Sequence, residues 1–306
     1  MNAAPAGAPL EARVELTSGA DPLIALSPLW TGPGDPHMRL STGGAAIAMR
    51  LAGGPATLEL SFGRDSVAAR AWGPGAADAI AAVPALVGER DDPTPLVPRD
   101  ALVSELVRRL PGARLTSGIP VIEALVPAII GQKVTSIEAR RSHRLLLLRH
   151  GEHAPGPLGL RLPPPPEKLA RLPYWAFHPL GLERRRADTI RAAAAVAPQL
   201  EQIRHLAPDT ARRRLMALPG VGQWTAAETM RLALGDPDAV SVGDFNLPRQ
   251  VCWVLAGERD GDDQRMLELL EPYRGQRARV VFLIEQSGLR PARRAPRHAL
   301  RSFEQM

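Results

Sequence analysis

The residues best placed to do chemistry lie between positions 218 and 244. Leu218-Pro219-Gly220-Val221-Gly222 runs straight into Gln223-Trp224-Thr225-Ala226. Helical periodicity precedes and follows this string, so it occupies a very short turn between two helices. Glycine at 220 and 222 permits positive φ and lets another backbone come close. Backbone N–H groups at a helix start make an anion site, suited to a phosphate of nucleic acid. A tight helix–helix turn with no ligand is the plain alternative, and glycine alone would favour it. The full string, with an Ala-rich helix after it, is more specific. Further on, Val240-Ser241-Val242-Gly243-Asp244-Phe245 closes an apolar extended stretch and opens a helix. Asp244 is then an N-cap, a carboxylate available for chemistry, or both, and the helix dipole favours negative charge at such a place.

The elements that must position these residues are mixed. Short alternating segments at His37–Ser41, Ala45–Leu51, Ala56–Phe62 and Val67–Trp72 predict strands, separated by Gly43-Gly44 and Gly53-Gly54. Pro74 opens an Ala-rich helix to Val87, and Asp91-Asp92-Pro93-Thr94-Pro95 is a turn or linker. From Arg99 the period becomes helical, through segments that include Val121–Ile129, Thr135–His150, Asp209–Leu218, Trp224–Leu234 and Arg274–Glu285. The expected fold is α+β: a small antiparallel β-containing N-terminal domain (1–98), a mainly α-helical domain (99–287) and a basic C-terminal tail (288–306).

Composition narrows the chemistry. The chain has 306 residues, 45% of them hydrophobic, so two packed domains are within reach. Cys252 is the only cysteine, which excludes an intramolecular disulfide and a four-thiolate iron–sulfur cluster. Lys133 and Lys168 are the only lysines; the other 36 of the 38 basic residues are Arg. The net charge of +6 is uneven, −2 over residues 1–117 and +8 over the remainder. The bias in the later part fits a polyanion partner, although Arg-rich solvated helix faces do the same. No apolar run approaches the ~18 residues of a membrane span, and Met1–Arg13 lacks a secretory pattern. The expectation is a cytoplasmic, nucleoid-associated protein that meets no membrane. His150-Gly-Glu-His153 lacks further ligand spacing and is not nominated as a metal site.

Leu218–Gly222 together with Asp244 resembles the helix–hairpin–helix DNA glycosylase superfamily. Glu123-Ala-Leu-Val-Pro-Ala-Ile-Ile-Gly131-Gln132-Lys133-Val134 resembles that family's first glycosylase-domain helix, and Tyr273-Arg274 falls where relatives also place an aromatic. The layout is similar to the bacterial DNA-3-methyladenine glycosylase II group. The resemblance implies that Pro219, Gly220, Val221, Gly222 and Thr225 grip the DNA backbone and that Asp244 is catalytic. It puts Trp224, Glu228, Gln132 and Tyr273 on the substrate side. Lys133 stands at the position of an apolar wedge; wedge, phosphate contact and plain surface residue all stay open, as does pairing of Glu228 with Arg231. The implied partner is double-stranded DNA carrying alkylated bases, met by a monomer. The implied reaction flips out a cationic purine and hydrolyses its N-glycosidic bond, leaving an abasic site. Trp224 replaces the Schiff-base lysine of strand-cutting relatives, so no lyase step is expected. No cofactor, resident metal or iron–sulfur cluster is required; a monovalent cation at the hairpin carbonyls is the one ion the resemblance admits. A non-catalytic DNA-binding protein and a glycosylase for oxidised or deaminated bases are the competing readings.

Overall fold

The structure of the protein, a computed structural model, is described for residues 7–291. Five strands form one antiparallel sheet: β1 (Leu10–Glu15), β2 (Met38–Ser41), β3 (Gly44–Leu51), β4 (Gly54–Phe62) and β5 (Ser66–Trp72), in the order β1-β5-β4-β3-β2. Register pairs Ser41 with Gly44 and Leu51 with Gly54, so Thr42-Gly43 and Ala52-Gly53 are two-residue hairpin turns. Helix α1 (Pro22–Leu26), capped by the Asp21 carboxylate, and helix α2 (Ala76–Leu86) pack on this sheet. Four strands fall where alternation places them. β1 does not, because it is an edge strand whose Glu11, Arg13 and Glu15 alternate with small residues; charges on an edge protect it from further pairing but hide it from a hydrophobicity reading.

The helices that follow are α3 (Ala101–Arg109), α4 (Val121–Ile130), α5 (Ser136–His150), α6 (Pro166–Arg171), α7 (Tyr174–Phe177), α8 (Arg184–Ala195), α9 (Ala197–Glu201), α10 (Pro208–Met216), α11 (Gln223–Ala233), α12 (Leu247–Ala256), α13 (Asp263–Leu270) and α14 (Arg277–Ser287). Between α5 and α6 a short ribbon, β6 (Glu152–His153) with β7 (Arg161–Leu162), packs Leu160 and Leu162 against Ala46 and Ala48 of β3. The His150–His153 segment is therefore partly ribbon, which its Pro- and Gly-rich surroundings did not suggest. Among the described residues no group of His, Cys, Asp or Glu is arranged to hold a metal, and no helix is long and apolar enough to cross a membrane. The basic tail lies outside the described residues from position 292 onward.

The chain is α+β, with its apolar core in two large clusters besides the small one under the ribbon. The larger runs from the sheet (Ile47, Leu58, Leu60) through α2 into α4, α8 and α11, and so spans the 98/99 boundary. The smaller gathers α3 with α12, α13 and α14. Asp91 in the linker pairs with the buried Arg279 guanidinium at 2.6 Å and accepts the Leu115 N–H, fastening the linker to α14. A bidentate Arg–carboxylate contact of this kind is among the stronger charged hydrogen bonds.

Where the sheet meets α4 and α5, several ionisable groups are buried. Burial pushes the Glu123 carboxyl up to about 7, against the Arg50 backbone N–H that it accepts at 2.7 Å. Burial, with the neighbouring His37 cation, takes His143 down to about 4. His37, 2.7 Å from Asp35, is raised despite its burial, and Asp35 is held well below the carboxylate range by the His37 and Thr31 hydrogen bonds that overcome its own burial.

Glu123 binds its proton more tightly in the folded chain, so its contribution is fully present below its ordinary value of 4.5 and is lost as pH rises through about 7. His143 acts in the opposite sense, and its contribution is lost as pH falls from 6.5 towards about 4. The wild type should therefore lose roughly 2–3 kcal/mol relative to Glu123→Gln between about pH 4 and about pH 8. Parallel urea denaturation series of the two proteins measure this difference, and parallel curves across that range would refute it.

Candidate nucleic-acid interface and active site

The turn between α10 and α11 is short because Gly220 takes φ +87°, a conformation that favours glycine. A Cβ at 220 would also stand 2.1 Å from the Thr189 hydroxyl oxygen on α8. Val221 is buried and anchors the turn, while Pro219 and Gly222 are exposed. Gly222 is the N-cap of α11, has no side-chain cap, and nothing lies within 4 Å of where its Cβ would be. The open helix start thus leaves room for an anion at the N-terminus of α11. The carbonyls of Leu218 and Gly220 already accept hydrogen bonds, from the Val221 N–H and the Gln132 amide. The exposed run Arg212–Arg214 on α10 lies just before the hairpin.

Asp244 follows a turn held from two sides. The Ser241 hydroxyl is buried and donates to Glu228 of α11; the Gly243 N–H donates to Asp263 at 3.0 Å. The Asp244 Oδ1 accepts the N–H groups of Asn246 and Leu247 at 2.8 and 2.9 Å, which caps the start of α12. Its Oδ2 accepts the Trp224 indole N–H at 3.1 Å. The N-cap position of α12 is Asn246, which makes no side-chain cap of its own. Asp244 is thus not the N-cap residue the sequence suggested, but it satisfies the helix start from two residues earlier while its other oxygen stands at the site. Trp224 is half-buried, and its ring edge lies against Gly131 at the end of α4, where a Cβ would come within 3.2 Å of the indole.

The structure brings Asp244, Trp224, the hairpin and the end of α4 together, and it gives four of the expected site residues partners within the protein. The Gln132 amide donates to the Gly220 carbonyl at 3.0 Å and to the Thr225 hydroxyl at 2.8 Å, so it ties the end of α4 to the hairpin. Thr225, 2% exposed, turns its side chain into the protein, where its hydroxyl accepts that amide. Glu228 is committed to the Ser241 hydroxyl and to Arg231 at 3.0 Å. Burial would raise its carboxyl, but Arg231 and Ser241 overcome that and hold it low. It positions the Asp244 turn. Tyr273, 4% exposed, sits in the smaller core cluster, where its hydroxyl donates to Asp100 at 2.5 Å and accepts the Arg99 N–H; burial and that donation push it up to about 12.

Lys133 is exposed and is the only non-glycine with positive φ among the described residues, at +55°. Such a backbone is uncommon outside glycine and concentrates at functional loops. It also brings a lysine beside the hairpin through Gln132, a proximity the separation of 88 positions had hidden. Phe245, which sequence reasoning passed over, is 82% exposed beside Asp244, with the Arg249 guanidinium 5.9 Å from its ring centre. A large apolar side chain left so exposed next to a carboxylate was not legible from Phe and Asp being adjacent.

No protein-family model matches the chain. Over 92 residues it is 28% identical to YfjP of Bacillus subtilis, named as a DNA-3-methyladenine glycosylase, which is 29% of this chain and 32% of that protein. Over 146 residues it is 31% identical to AlkA of Mycobacterium tuberculosis, named as a bifunctional transcriptional activator and DNA repair enzyme, which is 46% of this chain and 29% of that one. The chain thus spans about a third of the length of the curated relatives it matches. Among solved structures, the 3-methyladenine DNA-glycosylase of Archaeoglobus fulgidus superposes with a TM-score of 0.77 at 19% identity, over 90% of this chain and 98% of that one. The 8-oxoguanine glycosylase/lyase of Clostridium acetobutylicum superposes with a TM-score of 0.69 at 14% identity, over 92% and 98%. These likenesses establish the fold, and they match the resemblance carried by the hairpin and Asp244.

Proposed function

We propose that this chain, which has the fold of the helix–hairpin–helix DNA glycosylases and resembles them in its hairpin, is a monofunctional glycosylase that removes alkylated, cationic purines from duplex DNA. The observation that carries this reading is the 3.1 Å contact between the Trp224 indole N–H and Asp244 beside an open hairpin. It sets an aromatic face and a carboxylate in one site at a phosphate grip.

The chemistry follows from those groups. A base must leave the stack to be reached, at a cost of a few kcal/mol. The indole face attracts a cationic base more than a neutral one, by about 0.5–2 kcal/mol. As the N-glycosidic bond breaks, its electron pair goes to the base, which leaves neutral, and positive charge develops on the sugar. Asp244, held by three N–H donors, faces that charge with no reorganisation. Water then adds to C1′ and loses a proton, leaving an abasic site. The hairpin from Pro219 to Gly222 and Lys133 would hold the backbone, and Phe245 offers a ring on which a base can stack. The partner is double-stranded DNA, bound by a monomer.

Randomly methylated duplex DNA should release free 3-methyladenine or 7-methylguanine on incubation with the protein. Borohydride added during the reaction should trap no covalent protein–DNA adduct. Release of only 8-oxoguanine or uracil from suitable duplexes would move the substrate class, and a borohydride adduct lost in Lys133→Ala would reinstate a lyase step. No release from any damaged duplex would reduce the protein to a DNA-binding module.

Trp224→Ala should slow excision of a cationic base by about 3- to 30-fold while non-specific affinity changes little. Trp224→Phe, which keeps a ring but not the N–H, should fall between. Equal losses of excision and affinity would make Trp224 a packing residue. Affinity should also fall steeply with salt as phosphate contacts release counterions.

A further inference from the structure

A cavity of about 490 Å³ opens beside α4, between the sheet, α2, α5, α9 and the Pro163–Pro166 connector. Neither Trp224 nor Asp244 lines it. Its size is that of a small-molecule pocket, and its walls are mainly apolar: Ile122, Val126, Leu146, Leu147 and connector prolines.

Its polar groups are few and mostly spent in pairs. Arg204 is bound to Glu201 at 3.0 Å, Arg50 to Glu152 at 2.5 Å, and His37 to Asp35 at 2.7 Å. His143 is buried, edge-on to His37 with ring centres 5.5 Å apart, and is kept neutral by burial. His205 is exposed. The remaining acids are Glu123, Asp78, one of whose oxygens accepts the Gly53 N–H at 2.6 Å, and, at the exposed edge, Glu167. Glu123 is the central case. Its Oε1 accepts the Arg50 backbone N–H, and its Oε2 accepts nothing from the described residues. Glu123 is half-buried on the cavity wall, so this second oxygen can meet a donor placed in the cavity, and the desolvation that raises the carboxyl to about 7 makes a charged donor favourable there.

We propose that this cavity is a binding site for a small organic cation, a compact apolar or aromatic body bearing one amidinium or ammonium head that donates to Glu123. The apolar walls take the body, and the second oxygen of Glu123, with Asp78 and Glu167 nearby, favours the charge. An anion of the same shape would meet only repulsion and paired bases. The site is independent of the glycosylase reading, since it shares no residue with the Trp224–Asp244 centre.

The probe is benzamidine, titrated calorimetrically into the full chain at about pH 8, with benzoate as its anionic counterpart. Benzamidine should bind one per chain with a Kd below about 1 mM, and benzoate should not bind. Glu123→Gln, whose amide oxygen can still accept the Arg50 N–H, should weaken benzamidine at least about tenfold, the loss of a charged hydrogen bond. Trp224→Ala should leave binding unchanged. In the wild-type protein, benzamidine ring protons should give intermolecular NOEs to the His143 imidazole, a readout that stands even if the Glu123 variant does not fold. No saturable binding, equal binding of benzoate, or loss in Trp224→Ala but not in Glu123→Gln would overturn the proposal. The last pattern would assign the cation to the indole site and so bear on the glycosylase reading alone.

Discussion

Asp244→Asn should lower the single-turnover rate of alkylated-base release by about 10³-fold, the scale seen when one preorganised charge-stabilising group is removed. Duplex affinity should stay within a few-fold. The substitution is close to isosteric. The Asn oxygen can still accept the N–H groups of Asn246 and Leu247, so the start of α12 stays capped. What changes is the other position, where an NH₂ now faces the Trp224 N–H in place of Oδ2. Two donors then oppose each other, and negative charge is missing where the sugar becomes positive. Thermal unfolding should shift little, because the cap persists and the site is half-open to solvent. A variant that keeps near-wild-type release would remove Asp244 from catalysis and leave it as a cap alone. Equal loss of affinity and rate would mean that the whole turn had moved.

Gly220→Ala should be the most damaging single methyl in the hairpin. It imposes an L side chain on φ +87° and drives a Cβ to 2.1 Å from the Thr189 hydroxyl oxygen. Thr189 cannot simply rotate away, since it is buried and its hydroxyl donates to the Arg185 carbonyl at 2.9 Å. The turn must therefore shift, and with it the Gly220 carbonyl that Gln132 holds. A destabilisation of roughly 2–4 kcal/mol is expected from backbone strain and overlap together, with loss of duplex binding in the fraction that remains folded. Gly222→Ala is the informative contrast. Its φ is −101° and its Cβ would meet nothing within 4 Å, so stability should change by less than about 0.5 kcal/mol. A methyl there stands on the open N-cap face, so affinity for duplex should fall even though the fold does not. Denaturant midpoints and fluorescence anisotropy on the same two variants separate the effects. Equal destabilisation of both would undo the distinction between a packed and an open glycine.

Much of the site is local and was legible as such. The hairpin shows in the string from Leu218 to Gly222 because a turn this tight between two helices needs glycine at fixed offsets. Asp244 shows because a carboxylate between an extended apolar run and a helical period has few positions to choose from. Helical spans in the second half are legible because apolar residues recur every three or four positions. Edge strand β1 was not, since its half-buried side is only Ala12 and Val14 set between charges.

The roles of side chains were a different matter. Gln132, Thr225, Glu228 and Tyr273 are of types that contact substrates, and they lie in or beside motif-bearing segments. What decides their role is the partner each finds across the fold: Gly220 for Gln132, Gln132 for Thr225, Ser241 for Glu228, Asp100 for Tyr273. A buried polar atom is costly unless paired, so once packing puts a donor within reach, the side chain is spent on structure. Sequence spacing carries the period of a helix and the chirality demanded of a turn, and it determined the architecture, the hairpin and the carboxylate at its side. Only the tertiary structure decided which polar groups were consumed in holding these together and which, like Lys133, Phe245 and the free oxygen of Glu123, were left to meet something else. Such pairing depends on distances between residues that can be 88 or 173 positions apart, and no local pattern encodes those distances.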